Sequence, residues 1–207
     1  MKSLRGAILL VVWVSVLLMS VSYAQEEGEN IVRNPSFEDG TAEWQLLITA
    51  PAAATWEVEE EGVVGDCVYI DVSDISGTDW HVEIHQSGQM LEGGETYTFN
   101  FWAKTSEDVG SRPVGPGMEG LGGSDWWETF NINDEWQEFS RTWTQGLSGS
   151  ATIHYGLGQV KGDVWLDHVR LYIGEYVEED LEEIQIEKAV ESKGKLATAW
   201  GSIKTFD

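Results

Sequence analysis

One cysteine, four prolines and twelve basic residues are what this 207-residue chain has least of. Cys67 stands alone, so no intrachain disulfide can form and stability must come from packing, with or without a metal. The residue reads as a small apolar side chain in a strand. Twelve Lys and Arg against 36 Asp and Glu give a net charge of −24. Such a charge repels phosphates and anionic lipid, which argues against nucleic acid or any other polyanion as a partner. Helical periodicity is nearly missing between Asn30 and Gly174. There is no Gly-rich phosphate loop, no helical His pair at zinc spacing and no G-x-S-x-G elbow. His81 and His85 are four apart, and a strand would hold them roughly 13 Å from each other, too far to share a metal.

The chain starts with a pattern of its own. Lys2 and Arg5 precede an apolar run from Ala7 to Val21, and Ser22-Tyr23-Ala24 forms a small-x-small site before polar Gln25. Residues 1–24 read as an export signal, which makes the protein secreted or attached to a cell surface, with no membrane contact after cleavage. An uncleaved anchor is the competing reading, since the run approaches spanning length.

Residues 25–174 suit one domain with a real core. Short alternating runs, separated by Gly, Asp, Ser and Asn, predict strands at Val63–Val72, Trp80–Gln86, Thr96–Ala103, Trp136–Thr144, Ala151–Leu157 and Val164–Ile173. In Thr96–Ala103, Tyr97, Phe99, Phe101 and Ala103 share one face. In Ala151–Leu157, Ile153, Tyr155 and Leu157 point inward while Thr152, His154 and Gly156 take the other face. The expectation is an all-β fold: a jelly-roll β-sandwich of two antiparallel sheets, with a flexible acidic C-terminal tail. Ser106–Ser124, rich in Gly and Pro, reads as a long irregular loop. After Gly174 the composition turns to Glu, so 175–207 reads as an acidic linker or marginal helix, largely unfolded without a partner surface, ending in a tail that could dock elsewhere.

Eleven tryptophans are present, all but Trp13 beyond the signal. The surplus over what a core needs suggests an aromatic platform for a ligand with an apolar face. Trp44, Trp56, Trp102, Trp136, Trp143 and Trp165 are assigned mostly to structure. Trp126 and Trp127 are adjacent, so in a strand one packs inward and the other outward. If Phe130 and Ile132 are core, Trp127 takes the cleft, and a bulge would reverse this.

Three segments carry a resemblance. The first is Asn34-Pro35-Ser36-Phe37-Glu38-Asp39-Gly40 with Trp44. The second is Trp80-His81-Val82-Glu83-Ile84 leading through Gly94-Glu95-Thr96-Tyr97 to Phe101-Trp102-Ala103-Lys104. The third is Trp136-Gln137-Glu138-Phe139, Ile153-His154-Tyr155-Gly156 and Val164-Trp165-Leu166-Asp167-His168-Val169. In order and spacing they resemble carbohydrate-binding modules of the family 4, 9 and 22 group, over about Asn30 to Ile173.

The resemblance implies a noncatalytic module, accompanying glycoside hydrolases, that binds a neutral polysaccharide or oligosaccharide. A sugar presents an apolar C–H face and a rim of hydroxyls, so aromatic planes and hydrogen-bonding groups must share its cleft. Trp80 and one of Trp126 and Trp127 would stack on sugar rings, with Glu83 and His154 on hydroxyls. It also implies a structural Ca²⁺ held by Glu38 and Asp167, with Asp66 or its carbonyl as a weaker third ligand. Two other readings stand beside it: a structural or adhesive jelly roll without sugar binding, and a small glycoside hydrolase using Glu83 and Glu128 as paired acids.

Overall fold

A computed structural model describes residues 27–185. The expected export signal and the end of the tail lie outside the described residues. Eleven strands form two antiparallel sheets. They are β1 (Gln45–Ile48), β2 (Ala53–Gly62), β3 (Gly65–Asp74), β4 (Val82–Leu91), β5 (Thr96–Lys104), β6 (Ser111–Glu119), β7 (Trp126–Trp127), β8 (Phe130–Asn133), β9 (Gln137–Thr144), β10 (Gly149–Gly156) and β11 (Gly162–Ile173). The first sheet runs β1-β4-β10-β6-β7, with β8 paired to β6, and the second runs β2-β3-β11-β5-β9. The arrangement is the expected two-sheet sandwich of jelly-roll type.

Alternation builds the core. Val82 and Ile84 of β4, Ile153 and Tyr155 of β10, and Val114 and Met118 of β6 meet Tyr97, Phe99 and Phe101 of β5 and Leu166 and Leu171 of β11 in one buried cluster. Tyr155 lies among Phe99, Phe101 and Trp44, with ring centroids 6.0, 5.1 and 6.4 Å away. At the edge of the sandwich, the Trp44 indole packs 5.5 Å from Phe37 and donates to the Asn34 carbonyl at 3.0 Å. The 34–44 loop is thereby pinned to the edge of the sandwich.

One expectation fails instructively. Much of the stretch read as an irregular loop is β6, an interior strand between β10 on one side and β7 and β8 on the other. Gly and Pro hid its period of two. Arg112, Val114, Pro116 and Met118 are buried toward the core, while Ser111, Pro113, Gly115, Gly117 and Glu119 alternate with them. Pro116 cannot donate, yet its carbonyl accepts the Glu128 amide at 3.0 Å. Buried Arg112 donates to the carbonyls of Gly162 and Leu157 at 2.5 and 2.7 Å. Its pKa is pushed down to about 10 by burial.

Residues 175–185 find a partner surface on the sandwich itself. Tyr176 Oη donates to Glu138 Oε2 at 2.6 Å, and Glu179 contacts both His168 and Arg170 of β11 at 2.5 and 3.1 Å. The Gln185 amide reaches the Val63 carbonyl at 2.5 Å. The acidic stretch starts as a strap over the outer face of the second sheet.

Candidate functional site

The outer face of the first sheet holds a cleft of about 410 Å³ lined by Asp79, Trp80, Glu83, Glu119 and Trp127. Its floor is made low by glycine. A Cβ on Gly117 would come 2.3 Å from the Trp127 ring, so only glycine lets that indole lie down on β6. Gly156 and Gly115 similarly face Asp79, at 3.2 and 3.8 Å from where their Cβ atoms would sit. Trp80 stands on a single 3₁₀ turn, Asp79–His81, placed just before β4.

The two cleft tryptophans are 54% and 47% exposed for Trp80 and Trp127. Two exposed indoles on a shared depression make it the candidate ligand surface. Trp126, by contrast, is 7% exposed and belongs to the core, 5.9 Å from Phe99 and 5.2 Å from Trp143. Its place among candidate contacts is therefore corrected. The strand parity that puts Trp127 outward puts Trp126 inward, and no bulge intervenes: Met118 pairs with Trp126 and Gly117 with Trp127.

Glu83 and His154 meet. Both are nearly buried, 7% and 5% exposed, and Glu83 Oε1 lies 2.8 Å from His154 Nδ1. Glu119 Oε1 approaches the other nitrogen, Nε2, at 3.0 Å. The Trp127 ring leans over the same imidazole at 5.3 Å. Glu83, His154, Glu119 and Trp127 are thus one connected unit.

His81, expected within a strand over Trp80–Gln86, lies instead in the 3₁₀ turn. Its Nδ1 bonds Ser76 Oγ at 2.7 Å and its ring props Trp80 edge-on at 4.2 Å. Glu128 is drawn away from Glu83: its carboxylate holds Arg141 at 2.8 Å, and that guanidinium stacks 4.6 Å over Trp126. The proposed pair of acids does not line one cleft.

Sequence reasoning missed Asp79 and Glu119 as cleft residues. Asp79 immediately precedes Trp80, and its carboxylate accepts the Trp80 amide at 2.9 Å, which fixes the turn. Glu119 was hidden in the misread loop, two residues beyond Gly117 on the same face of β6.

At the far end, oxygens gather around the β2–β3 turn. Asp167 is fully buried, and its carboxylate accepts the Val64 amide at 2.8 Å and the His168 amide at 2.5 Å. A Cβ on Gly62 would fall 2.5 Å from the Asp66 carbonyl and 2.7 Å from Asp167 Oδ2, so both oxygens border one space that glycine keeps clear. Glu38 Oε1 approaches the Asp66 amide at 3.4 Å. Neighbouring Cys67 is pushed up to about 12, first by burial and then by the charges of Asp167 and Glu59, so the thiol stays protonated. The donor set is hard oxygen without thiolate, and it fits a Ca²⁺-type ion better than a softer one.

Comparison with known proteins bears on the fold and the family. No curated protein matches the chain by sequence. Among solved structures, one described as "CBM4 structure and function" superposes with a TM-score of 0.60 at 20% identity, covering 69% of this chain and 99% of that one. The CBM22-1 xylan-binding domain from Paenibacillus barcinonensis Xyn10C gives 0.56 at 14% identity, covering 74% and 100%. TmCBM61 in complex with β-1,4-galactotriose gives 0.51 at 18%, covering 70% and 99%. At such identities the likeness concerns the fold alone: a jelly-roll sandwich of the kind seen in carbohydrate-binding modules. The family is shown by sequence, where the profile described as "Carbohydrate binding domain" (CBM_4_9) matches residues 29–154. The chain belongs to that family.

Proposed function

We propose that this protein is a secreted or surface-held, noncatalytic module that binds a neutral polysaccharide through the outer face of its first sheet. The observation that carries the reading is the pairing of two exposed indoles, Trp80 and Trp127, around one cleft floored by glycine and by the Glu83–His154 pair. Stacking takes the apolar face of the sugar ring, and carboxylate and imidazole take its hydroxyls. Three carboxylates in the lining disfavour uronic-acid or sulfated chains. Xylan and a β-1,4-galactan fragment appear in the names of fold neighbours, so both belong in the test panel. Its use would be targeting, since holding a polypeptide beside an insoluble polymer raises its effective concentration.

A structural Ca²⁺ is part of the proposal. Asp167, the Asp66 carbonyl and Glu38 would hold it, tying the loop after Phe37 to β11 and the β2–β3 turn. Affinity electrophoresis of the mature protein through gels containing soluble xylan, galactan, β-glucan or glucomannan tests the glycan reading. Retardation by one of them is expected; free migration through all of them would favour a structural or adhesive domain.

A further inference from the structure

The cleft floor places two imidazoles side by side, and the sheet register does it: His85 of β4 is the pairing partner of His154 of β10. Their rings stand edge to face with centroids 5.7 Å apart. Glu83 lies on the same face, and its Oε1 is 2.8 Å from His154 Nδ1 and 3.3 Å from His85 Nδ1. The two outer nitrogens also face oxygen. His85 Nε2 is 3.1 Å from Gln45 Oε1, and His154 Nε2 is 3.0 Å from Glu119 Oε1.

This leaves a shortage of protons. Each neutral imidazole has one N–H, yet each ring has an oxygen at both nitrogens. For His154 both oxygens belong to carboxylates, and despite the short contacts neither nitrogen makes an aligned hydrogen bond. If the Nε2 protons serve Glu119 and Gln45, two Nδ1 lone pairs converge on the Glu83 carboxylate. A cation between them turns that repulsion into ligation.

We infer that Glu83, His85 and His154 form a binding site for a borderline divalent cation of the Zn²⁺ class. The three donor atoms lie within 4.8 Å of one another. Ligands about 2.0–2.2 Å from a shared zinc lie roughly 3–4 Å apart, so a small side-chain adjustment, in which the 2.8 Å Glu83–His154 contact opens slightly, completes the site. Two nitrogens and one carboxylate oxygen suit Zn²⁺ better than Ca²⁺. Each histidine has an oxygen close to its outer nitrogen, Gln45 Oε1 for His85 and Glu119 Oε1 for His154, where a small realignment would supply the kind of acceptor that orients metal-bound imidazoles. Glu83 also lines the cleft beside Trp127, so a sugar hydroxyl could supply a fourth ligand from there. That last role rests on the glycan reading; zinc binding itself does not.

The test is calorimetric titration of chelator-stripped mature protein with zinc chloride, in excess calcium chloride to occupy hard oxygen sites. One saturable equivalent is expected, at least tenfold weaker in both His85→Asn and Glu83→Gln, with melting temperatures checked in parallel. Cobalt(II) on the unaltered protein gives a second readout, visible ligand-field bands more intense than those of the aqueous ion. No zinc isotherm, or an isotherm unchanged in both variants, overturns the proposal. The absence of altered cobalt bands overturns it too. Glycan retention is scored separately, on protein to which calcium and zinc have been returned: retention without zinc binding rejects the metal alone, and zinc binding without retention rejects the glycan reading alone.

Discussion

The two outward faces of the sandwich are built from the same alternating strands and end up as opposites. On the first sheet, Gly115, Gly117 and Gly156 keep the surface low, and Trp80 and Trp127 stay half exposed above it. On the second, Thr98 and Asn100 of β5 are buried, and residues 175–185 cross the face, anchored by Tyr176 and Glu179. A groove on that side is walled by Trp102, Glu138, Glu178, Glu179, Asp180, Leu181 and Glu182, most of them acidic. The difference teaches that, among the described residues, an outward strand face stays open to solvent only where nothing from the chain itself settles on it. Glycine keeps one face clear, while the acidic strap occupies the other.

Neighbouring residues sharpen the contrast most. Trp126→Ala should remove about 3–5 kcal/mol of stability, because it empties a core site between Phe99 and Trp143. Differential scanning calorimetry should register a Tm drop of roughly 10 °C. Trp127→Ala, one residue on, should leave Tm nearly unchanged while weakening glycan retention by about 2 kcal/mol, roughly thirtyfold. Equal losses of stability in the two variants would erase the distinction between the faces.

Calcium should act on the sandwich and not on the cleft. Returning calcium chloride to stripped protein should raise Tm by several degrees in the parent and not in Asp167→Asn. A calcium-independent Tm in the parent would remove the ion.

The smallest effect concerns the strap. Tyr176 is pushed up to about 12, first by its hydrogen bond to Glu138. The raised folded-state pKa favours the neutral phenol, so the contribution is complete below about pH 10 and is lost as pH rises toward 12. Because the side chain is well exposed, only a slight loosening is expected. A 295 nm difference titration of parent against Tyr176→Phe checks it: the missing transition should lie near 12, whereas one near 10 would mean the contact with Glu138 is not formed.

Legibility in the sequence followed the strength of the local pattern. Val82-Glu83-Ile84-His85 and Ile153-His154-Tyr155 alternate cleanly, so their inward and outward sides could be read, and so could Glu83 and His154 on one face. The parity argument from Ile132 also placed Trp127 outside and Trp126 inside, though a possible bulge kept both open. β6 could not be read because its outward positions are Gly and Pro, residues chosen for what they leave empty. With β6 went Glu119. The His85–His154 pairing was out of reach for another reason: it depends on register between strands more than sixty residues apart, and spacing along the chain holds no trace of that.

The most direct measurement is affinity electrophoresis of a Trp80→Ala/Trp127→Ala double variant beside the parent, with both Tm values recorded. A glycan-binding first sheet requires that the parent be retarded by at least one neutral polysaccharide and that the variant run free with Tm preserved. Undiminished retardation of the folded double variant would place sugar recognition elsewhere on the molecule.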